Sequence, residues 1–322
     1  MIARRSLLGA LAPAGLARPA LAQPYPNRPI RVVVPFAAGG LTDVVARIVV
    51  EPMAATLGRP MVIENQGGAG STIGALTVGR AAPDGYTIMV GSVGHTVMDV
   101  LYPGFPYSPS RDFAPVALLT QQPFVVALHP SIPATDVPSF LAWLRSRNGE
   151  ANFGTAGIGA SSHLAAELLR KLAGVQFTVV PYRGTPQAVS DLTAGRVDFM
   201  IDSQTLLAPL MADSRVRGIA VTTAQRSTML PALPTLAEGG VAGYDAAAWQ
   251  AIYAPAGTPA EIRRTLSEAA TRAMREPAVI RRLNEAGVDV TPDNSPEAAA
   301  RHLETEVAKW SELVRTLGIR GT

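Results

Sequence analysis

Residues Ile30–Arg47 read IRVVVPFAAGGLTDVVAR. Arg31–Val34 is a short run of buried-strand type, and Pro35 ends it. A turn of small residues follows, Ala37-Ala38-Gly39-Gly40, and apolar residues then recur at Val44, Val45, Ile48 and Val49 with helical spacing. Thr42 or Asp43 is placed to cap that helix. A strand, a glycine turn and a helix N-terminus in succession free backbone N–H groups in a field that favours an anion. The stretch reads either as a site for a small anionic ligand or as an ordinary link between strand and helix.

Upstream, Arg4-Arg5, an apolar Leu/Ala/Gly region and Ala20-Leu21-Ala22 make residues 1–22 an export leader, cleaved near Ala22-Gln23. The paired arginines suit a twin-arginine route and serve equally well as the charged start of a general secretory signal. Arg18-Pro19 breaks the apolar region, which is too short to span a bilayer. The expectation is a soluble protein of the periplasm. The formal charge of +3 belongs to the leader, which holds three of the 28 basic residues and no acid, so 25 basic residues then face 25 acidic ones. A neutral chain offers neither the basic stripe that nucleic acid requires nor a patch for an anionic membrane. Absence of cysteine excludes disulfides, thiolate nucleophiles and cysteine-bound metal.

Strands are predicted at Arg31–Val34, Met61–Glu64, Thr87–Val90, Val116–Leu119, Phe124–Leu128, Phe177–Val180, Phe199–Asp202, Gly218–Val221 and Ala251–Ala254. They alternate with helices at Asp43–Leu57, Thr72–Ala81, Val137–Arg147, Ser161–Ala173, Pro186–Ala194, Pro259–Met274, Pro277–Ala286 and Pro296–Leu317. Alternation of this kind predicts an α/β architecture with mainly parallel sheets. Thr258 before Pro259 and Ser295 before Pro296 read as helix caps. Extended runs near Leu119–Val125 and Val221–Ser227 suit two crossings between lobes, giving lobe one as 23–120 plus 226–322 and lobe two as 121–225. One large sheet also satisfies the hydrophobic pattern.

Three more strand ends resemble the first. Ser92, His95 and Thr96 lie in the loop Gly91–Thr96. Thr155, Ala156 and Gly157 lead to Ser161, Ser162 and His163, with Ser161 or Ser162 as cap of an amphipathic helix. Asp202 ends a strand and is placed either to accept from a ligand ammonium or hydroxyl, or to cap a turn. His163 and His95 each read as a ligand donor or as a histidine bonded to its own loop. Ligands of open α/β sheets bind beyond the carboxyl ends of strands, and a cleft between domains would gather all four junctions. Enzyme signatures are weak. Gly157-Ile158-Gly159 lacks the third glycine of a dinucleotide fingerprint, and no phosphate loop, nucleophile elbow or metal-binding spacing occurs. No cofactor or metal is expected. Ser161, His95 and Asp202 supply the types of a hydrolytic triad with nothing to order them.

The motifs taken in order resemble the periplasmic solute receptors of tripartite tricarboxylate transporters, the Bug-type receptors. The matching segments include Pro29–Phe36, Gly39-Gly40 with Thr42-Asp43, Val62–Asn65, Gly68-Ala69-Gly70, Ala82–Thr87, Arg111–Val116, Val180–Gly184, Leu233–Glu238, Ala254–Pro259 and Glu306–Trp310. The resemblance implies a two-lobed, Venus-flytrap (type II) periplasmic-binding-protein fold whose cleft takes a small organic carboxylate. It implies that Phe36, Ala37, Ala38, Gly39 and Gly40, with Asp43 and the Ser92–Thr96 loop, serve one side of the cleft. Thr155–His163 and Asp202 serve the other. It also implies a monomer without catalytic residues that delivers its ligand to membrane transporter subunits. One alternative keeps the fold, a ligand sensor docking on a signalling protein; another is a periplasmic hydrolase acting on a carboxylated ester. Leu41 departs from the small residue or proline common in the family, narrowing the pocket mouth. Gln66-Gly67 replaces the usual arginine-proline.

Overall fold

The computed structural model describes residues 25–68, 71–102, 104 and 107–321. The leader, its cleavage point, and Ala69 and Gly70 of the Gly68-Ala69-Gly70 motif lie outside the described residues.

The first half of the sheet begins with β1 (Ile30–Val34), α1 (Leu41–Leu57), β2 (Met61–Asn65), α2 (Thr72–Gly79) and β3 (Thr87–Gly91). β1 is entirely buried except Arg31 and pairs in parallel with β2 and β3. A 3₁₀ turn (Val93–Val97) and two one-turn helices, α3 (Met98–Leu101) and α4 (Pro109–Asp112), lead into β4 (Phe113–Leu128). The second half holds α5 (Val137–Ser146), β5 (Asn152–Thr155), α6 (Ser161–Ala173), β6 (Thr178–Pro181), α7 (Thr185–Thr193), β7 (Phe199–Ser203), α8 (Gln204–Ala212) and β8 (Arg217–Val221). The chain returns along β9 (Ala247–Pro255) and finishes with α9 (Ala260–Arg275), α10 (Pro277–Glu285) and α11 (Pro296–Leu317). Strand order is β2-β1-β3-β9-β4-β7-β5-β6, with β8 on the edge of β4 opposite β7.

Several local expectations are corrected. The strands expected at Val116–Leu119 and Phe124–Leu128 are one 16-residue strand, β4. The polar link between them stays in register, Gln121 opposite Trp249 and Gln122 opposite Ala248, and buried Gln122 donates to Gln250 Oε1 at 3.3 Å. The extended run expected near Leu119–Val125 is thus part of the ladder. The sheet is mixed rather than mainly parallel. β1, β2 and β3 run parallel, as do β5, β6 and β7, whereas β4 and β9 are antiparallel to the neighbours they join. Ser295 caps α11 through the Ala298 N–H at 3.1 Å, as expected. Thr258 does not cap α9. Its hydroxyl turns back to the Pro255 carbonyl, and Pro259 occupies the cap position.

Side chains alternate across a strand, so β9 presents two different faces. Trp249 is fully buried against α11, where its indole N–H donates to Glu306 Oε2 at 2.7 Å. Trp310 donates to the same oxygen at 2.6 Å. Removing that carboxylate leaves two buried indole donors without an acceptor, each costing roughly 1–3 kcal/mol. Glu306→Ala is therefore expected to lower unfolding stability by about 2–4 kcal/mol in urea titration. Glu306→Gln, which keeps an acceptor, should recover much of that loss. Equal losses in the two variants would show that side-chain volume, not the indole bonds, matters there.

Candidate ligand-binding site

The turn after β1 needs a left-handed residue, and Gly39 supplies it at φ 81°. Asp43 fixes the turn from inside α1. Its Oδ2 accepts the Gly39 N–H at 2.8 Å and Arg47 Nε at 3.0 Å, and Oδ1 accepts Asn65 Nδ2 at 2.9 Å. Burial raises the Asp43 carboxyl pKa. The Arg47 bond and charge, the Gly39 N–H and the Asn65 amide outweigh it and hold the group below the usual carboxylate range. Neither Thr42 nor Asp43 caps α1. The cap position is Gly40, which has no side-chain acceptor. The first-turn N–H groups thus stay free, as they do in an uncapped helix.

The same correction applies to α6. Ala160, not Ser161 or Ser162, holds the cap position and brings no side-chain bond. Ser162 instead shares a hydrogen bond with Thr155 Oγ1 at 2.8 Å. At α7 the cap is Gly184, again without a side-chain bond. Gly40, Leu41, Thr42, Ala160, Ser161, Ser162, Gly184 and Thr185 all line one cleft. Three helix N-termini from both halves of the sheet converge on it. From the sheet itself come Phe124 of β4, Asp202 of β7, and Ala248 and Gln250 of β9.

Gln250 Oε1 takes the Thr120 hydroxyl at 2.5 Å as well as the Gln122 amide, which leaves Nε2 as a donor toward the cleft. Asp202 is buried. Its Oδ1 accepts the Ser203 N–H at 2.7 Å and its Oδ2 the Thr185 hydroxyl at 3.2 Å. Burial raises its carboxyl to about 6, against the lowering effect of those two bonds. Across the mouth of the cleft the turn after β1 meets the loop before α7. A Cβ built on Gly184 would lie 2.7 Å from Ala37 Cβ, so the two backbones touch with no room for a side chain.

Residues 45–319 match the family described as the tripartite tricarboxylate transporter family receptor. The chain belongs to that receptor family. Among solved structures it is similar to the periplasmic binding protein BugD, with 35% identity over 92% of this chain and 100% of that one and a TM-score of 0.87. MatC from Rhodopseudomonas palustris with bound malate is 37% identical, covering 90% and 100%, at a TM-score of 0.86. An R. palustris protein with adipate is 35% identical, covering 92% and 99%, also at 0.86. The receptor has the two-lobed periplasmic-binding-protein fold.

Of the residues singled out in the sequence, Phe36, Ala37, Gly40, Ser92, Ala156, Ser161, Ser162 and Asp202 line the receptor's cleft. Asp43, Thr155 and Gly157 are buried in the turns that shape it, while Ala38 and Gly39 are exposed in the turn after β1 and do not line it. His95 and Thr96 do not line it. The loop after β3 winds into the 3₁₀ turn, which sends His95 into a cage of Tyr107, Phe113 and Tyr253, bonded to the Tyr107 hydroxyl. Burial there depresses its pKa to about 3, so the ring is neutral. Thr96 bonds the Val93 carbonyl. The set Ser161, His95 and Asp202 is thus not brought together. His163 is also committed to its own loop, accepting the Gly159 N–H at Nδ1 at 3.1 Å, with Nε2 3.5 Å from Glu167.

The sequence reading missed Thr42, Ala160, Gly184, Thr185, Phe124, Ala248 and Gln250 as cleft residues, and took Leu41 only as a departure. The first four sit at helix starts and carried the same strand-end signal as their neighbours. The last three lie within long strands, where alternation alone marks a face.

The Asp202 carboxyl gives a pH test of the ligand-free receptor. Its folded pKa of about 6 lies above the unfolded value of about 3.9, so the folded state binds its proton more tightly. The stability this confers is complete below pH 4 and is lost as pH rises through 6, by roughly 3 kcal/mol for such a shift. Asp202→Asn lacks that titration. Its melting temperature should gain on wild type between pH 4 and pH 7.5, and a constant difference across that range would refute the raised value.

Proposed function

We propose that this receptor is exported to the periplasm and binds a small organic carboxylate in the cleft. Closure of the two lobes traps the ligand, and the closed form hands it to the membrane subunits of a tripartite tricarboxylate-type transporter. The observation that carries this reading is the convergence of three helix N-termini without side-chain caps, α1, α6 and α7, on one cavity. Free amides and the helix dipoles hold a dehydrated carboxylate without any buried cation. The malate and adipate of the similar structures support the ligand class. The chain acts as a binder rather than a catalyst, and as a monomer. No helix among the described residues is long and apolar enough to cross a membrane, in keeping with a receptor that meets its transporter from outside the bilayer.

In this reading Phe36, Ala37, Gly40, Leu41, Thr42 and Ser92 contact the ligand from lobe one. Ala156, Ser161, Ser162, Thr185 and Asp202 contact it from lobe two, with Gln250 between them. The lobes follow the division expected from the sequence at Leu119–Val125. We move the return crossing from residues 221–227 to the start of β9. Thr235 bridges to Val221 of β8, and the Tyr244 hydroxyl donates to the Ala165 carbonyl of α6 at 2.7 Å, which favours counting 226–246 with lobe two.

The direct test is a thermal-shift screen of ligand-free protein with mono-, di- and tricarboxylates and neutral sugars. A ligand at a hundred times its Kd stabilises the native state by about 2.7 kcal/mol, a shift of several degrees. The expected outcome is a rise with carboxylates only, and a rise with sugars alone would overturn the reading. Closure has its own test. Gly184 has an extended backbone that any residue adopts (φ 168°), so Gly184→Ala should fold normally. Its new methyl would strike Ala37 and hold the mouth open, weakening ligand binding about tenfold or more. Ala37→Gly in the same chain should restore affinity, and a loss that it does not repair would mean that Gly184 acts by another route.

A further inference from the structure

We infer that His163 is a positioning residue for ligand binding: it touches no ligand, and it holds the turn 157–160 in the shape that brings the start of α6 to the cleft. The inference rests on the receptor reading above and adds to it a residue that acts through another. His163 is 2% exposed and does not line the cleft. The turn it serves lies between lining positions, Ala156 on one side and Ala160 with Ser161 on the other. Within that turn Gly159 is buried and left-handed, at φ 82°. A Cβ built on it would strike the Leu101 side chain, so the turn packs against α3 with no room for a side chain of its own. The Gly159 N–H donates to His163 Nδ1 at 3.1 Å.

An imidazole nitrogen that accepts a backbone N–H carries no proton, so the ring hydrogen of His163 sits on Nε2. Nε2 lies 3.5 Å from Glu167 Oε1, one turn further along α6. Glu167 is buried, and Arg170 meets its charge, donating from Nη1 to Oε2 at 2.9 Å. Arg170 is anchored in turn: Nη2 donates to the Phe177 carbonyl at 2.8 Å, and the guanidinium sits 4.3 Å from the centre of the Phe177 ring. The chain from Phe177 through Arg170 and Glu167 fixes the ring that receives Gly159. Two other bonds hold this turn, from Thr155 Oγ1 at 3.4 Å and from the Ala160 N–H at 3.1 Å, and both end on the Gly157 carbonyl. The Gly159 amide depends on His163. Without that acceptor a buried N–H loses its partner, a loss the turn relieves by rotating the peptide before Gly159. Such a rotation displaces Ala160 and the uncapped α6 amides that follow it.

The test separates the two ring nitrogens. His163→Asn puts an amide oxygen where Nδ1 lies and keeps the acceptor for Gly159, while giving up the reach to Glu167. His163→Gln reaches toward Glu167, is closer to histidine in volume, and leaves Gly159 unpaired. A role in packing or in the Glu167 contact ranks Gln above Asn, and the positioning role ranks Asn above Gln. The full mature chain, freed of bound ligand by unfolding and refolding, is titrated calorimetrically with malate, adipate, succinate and citrate, and the acid that binds wild type most tightly is carried to the variants. His163→Asn should stay within about threefold of wild-type affinity, and His163→Gln should lose about tenfold or more. Amide exchange of the ligand-free proteins, read on peptides covering 157–160, should be slow in wild type and His163→Asn and about tenfold faster in His163→Gln. Wild-type affinity in His163→Gln, a tenfold loss in His163→Asn, or equal exchange in the two variants would overturn the positioning role and leave the receptor reading standing. Failure of all four acids to bind wild type would overturn the receptor reading and this inference with it. If His163→Gln does not fold, His163→Asn decides alone by the same limits.

Discussion

The antiparallel ladder between β4 and β9 is the constraint on which the rest of the molecule depends. It pairs Phe113 through Pro123 with Pro255 through Ala247, and β4 continues beyond it to pair with β7 and β8. Each half of the sheet thus shares a continuous backbone with the other. The ladder is irregular where it must bend, with register shifts between Pro115 and Ala117 and between Leu118 and Thr120. Shifts of this kind free backbone groups and sharpen the local twist. The freed groups find partners: Thr291 donates to the Leu118 and Leu119 carbonyls, and Asn294 Nδ2 reaches Leu118 at 2.6 Å. The irregularity is stabilised from outside the sheet, leaving the ladder free to bring Ala248 and Gln250 to the cleft and Trp249 to α11.

On that frame, the cleft is made where three uncapped helix starts meet. α5 and α11 close their first turns with Asp136 and Ser295, whereas α2, α8, α9 and α10 lack a side-chain cap away from the cleft. The three helices that open on the cleft begin at Gly40, Ala160 and Gly184, residues with no side-chain acceptor. A side-chain cap contributes about 1 kcal/mol, so leaving it out has a cost. The return is a set of amides that a ligand can use, held at fixed positions by Asp43 in one half of the sheet and by the Thr155–Ser162 bond in the other. Gly184 combines two functions, since the absence of a side chain both leaves the helix uncapped and lets its backbone approach Ala37.

Much of the fold was legible in the sequence because short strands and amphipathic helices announce themselves by period. Of the crossing strands, the extended run near Leu119–Val125 and the stretch Ala251–Ala254 were legible, but their full lengths were not. β4 contains Gln121-Gln122-Pro123, and β9 contains Gln250, and polar residues inside an apolar pattern look like breaks until their partners are known. Half of the cleft was read for a sound reason, the geometry of strand ends. The errors came from treating each junction as an open loop with a side-chain cap. His95 was chosen for its chemistry, yet the turn that carries it coils inward, and the cage of Tyr107, Phe113 and Tyr253 settles its neutral state. Gln250 carried no local signal, since its role is set by Thr120 and Gln122, 130 and 128 positions away in the chain.

Asp43 and Asp202 show how one residue type takes two roles within a single cleft. Both are buried. Asp43 is surrounded by Arg47, Asn65 and the Gly39 amide, which together overcome the effect of burial and keep it ionised. It is fully engaged, and it shapes the turn without lining the cavity. Asp202 has an amide and a hydroxyl but no cation, so burial prevails and its carboxyl rises to about 6. A buried charge without a counter-charge weakens the ligand-free fold, and nothing in the core requires one there. A ligand group that donates to Asp202 would offset that cost, which ties the stability of the fold to what fills the cleft.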